Sequence, residues 1–271
     1  MKNILIYVII ISVCIICLLT LRNNKNEEQG TYSKGYYKLV DRYDSDDSSY
    51  SDFLKQKDSI SILENTYKEL MSMKEILYFE LSNQDIGYIG DFKGKKQFLH
   101  GGESVRNQKI DGELYSPLYA IQSSENYYDK NHLAAMMDEG NIFSENDYKV
   151  TSEDDIPVIL GNAYKTLFSL NSRFQGIYLG EKKLKFKVIG FLKKGEEIEI
   201  NQNHHVLDYY MIMPQLNVAS LDSHSFKKRL LSVKVEGVCY YENKKKYKEI
   251  KKKIKEISRK TKFKYDSSYG G

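Results

Sequence analysis

The sequence predicts an α+β protein in which two strand–helix–strand units bracket a strand-rich middle region. Short apolar or alternating segments at 35–43 and 75–82, and within "IPVIL" and "RFQGIYLGEKKLKFKVIGFLKKG" of the middle region, indicate strands. Two longer segments, 52–74 and the basic stretch 244–264, carry apolar residues at helical spacing. The composition, with 41% hydrophobic and 29% charged residues, is that of an ordinary globular protein. The 271 residues suffice for one elaborate domain or two small ones.

The first predicted unit follows a tyrosine-rich strand within Gly35 to Tyr43. We expect a helix from Asp52, as its N-cap, to about Lys74, because apolar residues recur along it with a helical period. The segment "EILYFELS", residues 75–82, then reads as a short strand. Together these elements form a strand–helix–strand order.

The last predicted unit repeats this order. Val233, Val235 and Val238 alternate within "RLLSVKVEGVCYY", which predicts a strand, and "TKFKYDSS" predicts another strand near the end. Between them, residues 244–264 carry 12 Lys and Arg against 2 Glu, with an apolar stripe of Tyr247, Ile250, Ile254 and Ile257. This pattern is typical of a surface helix with solvated lysines, and contact with anionic lipid or nucleic acid is the alternative.

The N-terminus departs from the globular average. Residues 4–21, "ILIYVIIISVCIICLLTL", contain no charge, and as a helix they span roughly 27 Å, close to the bilayer hydrocarbon thickness. A cleaved signal peptide has a shorter apolar region followed by small residues, so an uncleaved transmembrane anchor over residues 1–22 is expected. The charges on either side, Lys2 against Arg22 and Lys25, do not set its orientation. Cys239 has no cysteine partner outside the anchor.

The middle region, residues 91–221, reads as an insertion between the two units. It contains a short helix around Leu133 that ends at Gly140, and a strand that runs into Gly161 and then a segment with helical spacing. Gly180 separates two alternating runs like a hairpin turn. A last strand, "DYYMIMP", stops at Pro214.

None of the candidate catalytic or binding motifs matches the residue pattern that its chemistry requires. Gly161 lacks the second glycine and the Gly-Lys pair of phosphate-binding loops, and the acidic stretch 44–52 lacks the turn glycine of a calcium loop. A hydrolase nucleophile within "HGGES", with His100 and Ser104, would require glycine at Arg106. His204, His205 and Asp208 follow no metal-binding spacing. We therefore expect no catalytic, cofactor-binding or metal-binding residue.

Four motifs in order provide the strongest signal, namely "EGNIFSENDY", "IPVILGNAYKTLF", "QGIYLGEKKLKFKVIGFLKKG" and "YYMIMPQLN". This series resembles the MacB-like periplasmic core domain of FtsX-like ABC transporter permeases, over about residues 115–218. The motif residues that carry the resemblance, all expected to be structural, are Gly140, Phe143, Asp147, Pro157, Val158, Gly161, Leu167, Phe168, Gly176, Val188, Gly190 and Pro214.

The resemblance implies a division of the chain. Residues 1–22 form the transmembrane anchor, 30–90 and 222–271 form the two βαβ units of a porter-like subdomain, and 91–221 form the smaller inserted α/β subdomain. It also implies an N-terminus in the cytoplasm and a two-part domain outside the cell or in the periplasm. Such permeases place three more hydrophobic helices after this domain, whereas no stretch beyond Leu21 is as apolar, so a truncated or split permease is expected.

The implied function is noncatalytic. In the family, a separate ABC ATPase rocks the membrane helices, and the outer domain transmits that motion to a peptide, lipid or lipoprotein substrate. The expected partners are an ABC ATPase subunit and a companion permease, with no nucleic acid, and a homo- or heterodimer is left open. Two alternatives stay open, a single-span binding or sensing protein and a surface-anchored hydrolase that gathers His100, Ser104 and an acid.

Overall fold

The computed structural model describes residues 34–43, 47–200 and 203–266. The predicted anchor over residues 1–22, the acidic stretch at 44–46 and the residues after 266 lie outside the described part. Within the described part, no helix combines the length and the apolar character needed to cross a bilayer.

The described residues form an α+β fold, as predicted. The helices are α1 (Asp47–Lys55), α2 (Ser59–Met71), α3 (Glu125–Lys130), α4 (Leu133–Met136), α5 (His224–Val235) and α6 (Lys244–Thr261). The strands are β1 (Gly35–Lys38), β2 (Leu77–Phe79), β3 (Leu81–Ser82), β4 (Ile86–Ile89), β5 (Gln108–Ile110), β6 (Glu113–Leu118), β7 (Ala120–Ser123), β8 (Met137–Gly140), β9 (Asp155–Leu160), β10 (Arg173–Tyr178), β11 (Lys182–Leu192), β12 (Glu197–Ile200), β13 (Asn203–Val206), β14 (Met211–Pro214) and β15 (Val238–Tyr241).

A small antiparallel sheet has the order β1, β15, β2, with β15 in the centre. Helix α6 packs on it through the predicted apolar stripe, in which Tyr247, Ile250, Ile254 and Ile257 are all buried. Helix α2 contributes Leu63 and Leu70 to the same core. The two ends of the chain therefore build one sheet and one helical layer, although the whole middle region separates them in sequence.

A ten-stranded mixed sheet occupies the middle of the chain, in the order β3, β7, β14, β9, β11, β10, β4, β6, β5, with β8 paired to β11. Strands β9 and β11 run parallel, as do β14 and β7, and the other pairs are antiparallel. Strand β9 is buried on both faces, since Val158 belongs to one core and Ile159 to the other. Burial on both faces explains why "IPVIL" is continuously apolar rather than alternating.

The small sheet packs against one face of the large sheet. Phe79 and Val238 of the small sheet lie in the same core as Ile121, Tyr127 and Ile159 of the middle region. The helices α2 and α6 cover the opposite face of the small sheet, so the protein is layered, with helices, small sheet and large sheet in succession.

The predicted strand at Val233, Val235 and Val238 is wrong in its first half. Residues His224–Val235 form helix α5, whose N-cap Ser223 accepts a hydrogen bond from the Phe226 N–H at 3.0 Å. Only the residues after Gly237 enter the sheet. Of the three valines only Val235 belongs to the buried set of the helix, together with Phe226, Leu230 and Leu231, and the N-cap at Ser223 marks where the helix begins.

The predicted helix from Asp52 to Lys74 is two helices. Asp52 lies inside α1 instead of capping it, and the chain turns at 56–58 before α2 begins. The predicted strand 75–82 is likewise two strands, because β2 joins the small sheet and β3 joins the large one through Leu81 opposite Ser123. Strand β4, also within residues 30–90, pairs with β6 and β10 of the middle region.

Three shorter predictions also need correction. The helix at Leu133 ends at Met136, so Gly140 does not cap it and instead ends strand β8. The segment after Gly161 is a 3-10 turn, Asn162–Thr166, in place of a regular helix. The final predicted strand reduces to one antiparallel bridge between Tyr265 and Asp41. The hairpin turn at Gly180 and the strand ending at Pro214 are confirmed.

Candidate functional site

The structure brings two glycines of the motif series face to face. Gly140 lies opposite Gly190 in the antiparallel pair of β8 and β11. A Cβ atom on Gly140, whose φ is +84°, would lie 2.3 Å from the Ile189 carbonyl oxygen. One on Gly190 would lie 2.9 Å from the Asn141 carbonyl oxygen. Because neither residue has a side chain, the backbones of β8 and β11 can approach closely at the point where the register of β11 shifts.

Gly161 serves a similar packing role. Its φ of −62° suits any residue, but a Cβ there would lie 1.9 Å from the Leu207 carbonyl oxygen. The Gly161 N–H donates to the Tyr210 carbonyl at 2.9 Å. The space beside the glycine is therefore filled by the chain's own backbone, which leaves no room for a phosphate at this turn.

The other motif residues are parts of the sheet and its turns. Asp147 accepts from the Ser144 N–H at 2.6 Å and from its hydroxyl at 2.8 Å, which closes the turn after Phe143. The following motif residues lie in strands, most of them buried: Pro157 and Val158 in β9, Gly176 in β10, Val188 in β11 and Pro214 in β14. These residues position the backbone and carry no reactive group.

Leu167 and Phe168 lie at the edge of the core. Both are half-buried and pack against it, and the Phe168 ring centroid is 5.2 Å from that of Phe174. Tyr164 of the same turn takes the fully buried position instead. Leu167 and Phe168 follow the 3-10 turn, Asn162–Thr166, instead of lying within a helix.

The residues suggested for a hydrolase do not assemble. His100 Nδ1 contacts Asp85 Oδ2, so the histidine does have an acidic partner. The Ser104 hydroxyl, however, donates to the Gly101 carbonyl at 3.4 Å, and no hydrogen bond joins it to His100 in the described structure. A nucleophile and its base work through direct hydrogen-bond contact, and Ser104 and His100 have none here.

The three residues considered for a metal also diverge. His205 Nδ1 lies 3.0 Å from the Tyr210 hydroxyl, while His204 Nδ1 lies 3.8 Å from a Glu197 oxygen. Asp208 accepts from the Gly195 N–H at 2.8 Å, at the other end of the same hairpin. No group of three His, Cys, Asp or Glu side chains in the described ranges is placed to hold a metal ion.

A large open groove crosses the end of the ten-stranded sheet. Its volume is about 870 Å³, within the range of ligand sites, and it lies over strands β4, β6 and β10. Gly87 forms part of the groove, where it pairs with Pro117 on one side and with Ile177 on the other. The missing side chain of Gly87 keeps the groove open, and Ile110 of the edge strand β5 is 51% exposed beside it.

The groove is predominantly acidic. Four carboxylates line it, those of Asp85, Asp111, Glu113 and Glu181, against the single lysine Lys183. Lys183 Nζ lies 2.5 Å from Glu113 Oε2, and hydrogen bonding from this lysine and then from Tyr115 lowers the pKa of Glu113. The pKa of Asp85 is raised by burial, which the hydrogen bond with His100 opposes. This surface favours a cationic ligand with some apolar character.

Sequence reasoning missed this groove. Its lining residues come from five strands and the turns between them, and their proximity depends on β4 lying between β10 and β6. The only local signal was Gly87 within the alternating "DIGYIG", where a glycine inside a strand marks a close approach or an open surface. With the fold and this geometry established, comparison with known proteins finds no protein-family model and no curated protein that matches the chain.

Proposed function

We propose that the chain is a membrane-anchored, noncatalytic domain of the MacB-like transporter type, in which residues 91–221 form the inserted subdomain and the flanking units form a porter-like subdomain. It sits outside the cytoplasm, next to an ABC ATPase and a companion permease. Its role is to transmit ATPase-driven motion to a peptide, lipid or lipoprotein substrate.

The meeting of the motif residues on one patch of sheet carries the proposal. Gly140 of β8 lies opposite Gly190 of β11, and Val158 of β9 lies opposite Val188 on the other side of β11. Separate motifs of the series therefore become neighbours. Motifs that share one packing region are expected of a domain whose shape, rather than side-chain chemistry, is the functional property. The inserted position of the middle region, between strands β2 and β15 of one sheet, also supports the proposal.

A layered body of this kind needs no reactive group for its role. Transmission requires that ATP binding elsewhere changes the population of two arrangements of the membrane part, and that the outer domain moves as a packed unit. The core that the small and large sheets share provides such a unit.

Copurification tests the proposal. The intact chain, isolated from native membranes in mild detergent, is expected to bring an ABC ATPase and a permease with it, both identified by mass spectrometry. Repeated isolation of the chain without either protein would overturn the transport role.

The acidic groove favours a second candidate, a single-span binding protein with a cationic peptide ligand. Substitution Gly87→Leu places a side chain into the groove, and it is expected to abolish binding of Lys- and Arg-rich peptides to the intact chain, measured by fluorescence anisotropy. Equal binding by the substituted and unsubstituted chains would exclude the groove. A gene for an ABC ATPase beside this one favours the transport role, and its absence favours the binding role.

A further inference from the structure

One side of helix α6 carries a line of cations. The spacing of these residues, alternately three and four positions, keeps them on a single helical face. They are Lys245, Lys248, Lys252, Lys255 and Arg259, and we name them the cationic stripe. All five are exposed, and the stripe extends about 21 Å along the helix.

Packing fixes the direction in which the stripe points. The residues that α6 buries, Tyr247, Ile250, Ile254, Ile257 and Thr261, follow the same three-and-four spacing two positions out of step with the stripe. At about 100° per residue, the two sets lie on roughly opposite sides of the helix. The cationic stripe therefore faces away from the protein.

The lysines on the adjacent flank are neutralised, unlike those of the stripe. Lys246 lies 2.9 Å from Glu249, Lys253 lies 3.5 Å from Glu256, and Lys260 lies 2.7 Å from Glu69. No carboxylate in the described residues comes within ion-pair distance of the five stripe residues. The helix thus separates ion-paired lysines from the five cations of the stripe. Three stripe residues, Lys245, Lys248 and Lys252, border a shallow recess together with Lys244 and Glu249.

The position of α6 in the fold decides between lipid and nucleic acid as the anionic partner. The Tyr37 ring of β1 lies 5.5 Å from the Tyr247 ring in the first turn of α6. Gly35, which begins β1, is only 14 residues after Leu21, the end of the uncharged segment, and that length of chain spans at most about 50 Å. A membrane anchor at 1–22 would therefore tether β1, and the start of α6 beside it, within that distance of the lipid headgroups.

We infer that the cationic stripe binds the phosphates of anionic lipid headgroups and so orients the domain on the membrane surface. This inference rests on the membrane anchor of the proposed function. In that orientation each lysine of the stripe lies near the charged lipid surface and adds to the attraction.

Lysine labelling in nanodiscs tests the inference. The intact chain is placed in zwitterionic nanodiscs or in nanodiscs with about 30 mol% phosphatidylglycerol, and amine-reactive labelling is read by mass spectrometry. In anionic nanodiscs, labelling of Lys245, Lys248, Lys252 and Lys255 is expected to fall roughly threefold or more, and to recover in about 1 M salt. Exposed Lys57 and Lys109, elsewhere on the protein, are expected to label equally in both.

Matched variants separate the stripe from charge in general. The variant K248E/K252E is expected to restore labelling of Lys245 and Lys255 in anionic nanodiscs, whereas K246Q/K253Q, which removes two ion-paired lysines of the same helix, is expected to keep the protection. Equal labelling of the stripe in both lipid compositions would overturn the inference alone. Protection by added duplex DNA without protection by anionic lipid would also overturn it, in favour of nucleic acid. Failure of the chain to enter either nanodisc would overturn the anchored function and this inference with it.

Discussion

Gly140 faces Gly190 across two antiparallel strands, and the space between them is too small for a Cβ atom on Gly140. The contact joins the first and third motifs of the series. It also lies beside the shift in register of β11, which parallel strand β9 contacts from the other side. The close approach of the two strands at this point therefore requires glycine in both motifs.

Substitution Gly140→Ala is expected to lower the free energy of unfolding by about 2–4 kcal/mol, since it adds a backbone clash to an unfavourable positive φ. Gly112→Ala is the matched control, because Gly112 has a φ of +87° and a Cβ atom added to it would meet nothing within 4 Å. That control is expected to lose about 1 kcal/mol. Urea unfolding of both variants measures the difference, and equal losses would show that crowding plays no part.

Two fully buried tyrosines are expected to respond oppositely to loss of the hydroxyl. The Tyr128 hydroxyl donates to the Met213 carbonyl at 2.8 Å, whereas the Tyr164 hydroxyl has no hydrogen-bond partner in the described structure. Tyr128→Phe should therefore lose about 1–2 kcal/mol, and Tyr164→Phe should be neutral or gain up to about 1 kcal/mol. Thermal unfolding of the two variants tests this, and a destabilised Tyr164→Phe protein would mean that its hydroxyl is bonded.

A buried ion pair lies where the chain passes from the small sheet to the large sheet, between β2 and β3. Lys234 Nζ lies 2.6 Å from Glu80 Oε1, and the residues are 2% and 7% exposed. Substitution Lys234→Met is expected to cost about 3–5 kcal/mol, because it leaves a buried carboxylate unpaired, and adding Glu80→Gln should recover part of the loss. Lys149→Met, which breaks the exposed pair with Glu145, is the control and should cost less than about 1 kcal/mol. Additive effects at Lys234 and Glu80 in a double-mutant cycle would contradict the coupling.

Glu236 is expected to make the protein less stable at alkaline pH. Burial and then the nearby Asp41 carboxylate raise the pKa of Glu236 to about 8, while Lys38 acts in the opposite direction. Between the ordinary carboxyl pKa and about 8, the folded protein binds more protons than the unfolded chain at this site, so stability falls as pH rises through this range.

The variant Glu236→Gln removes that titration and is expected to raise the melting temperature at pH 9 by several degrees, with little change at pH 5. Glu153→Gln, at an exposed position, controls for the loss of one negative charge. A melting temperature of Glu236→Gln that keeps the pH dependence of the unsubstituted protein would rule out Glu236 as its source.

Local sequence patterns predicted those helices and strands whose residue spacing fits only one type of secondary structure. Helix α6 has both a regular apolar stripe and solvated lysines, and the β10–β11 hairpin has alternation on both sides of Gly180. Helix α5 was missed because its valines also fit a strand, although Ser223 before Phe226 carried a capping signal. A capping residue such as Ser223 distinguishes a helix from a strand only when the burial of the residues that follow it is also known.

The sheet order and the groove could not be predicted, because they depend on contacts between residues far apart in sequence. Strand β4 lies between β10 and β6, and Glu80 forms an ion pair with Lys234. No local sequence pattern predicts either contact. The motif residues were predicted to be structural, and the structure places them in strands and in the turns that connect them. The acidic lining of the groove emerges only when Asp85, Glu113 and Glu181 are brought together by the fold.

The most direct measurement of the transport role is quantitative copurification from native membranes. The intact chain and an unrelated single-span protein, expressed at matched levels, are isolated in parallel in the same mild detergent, and the recovered proteins are compared by mass spectrometry. We predict that an ABC ATPase and a companion permease are enriched with the chain and not with the control. Recovery of the chain without enrichment of either protein, in repeated preparations with or without a crosslinker, would contradict the proposal.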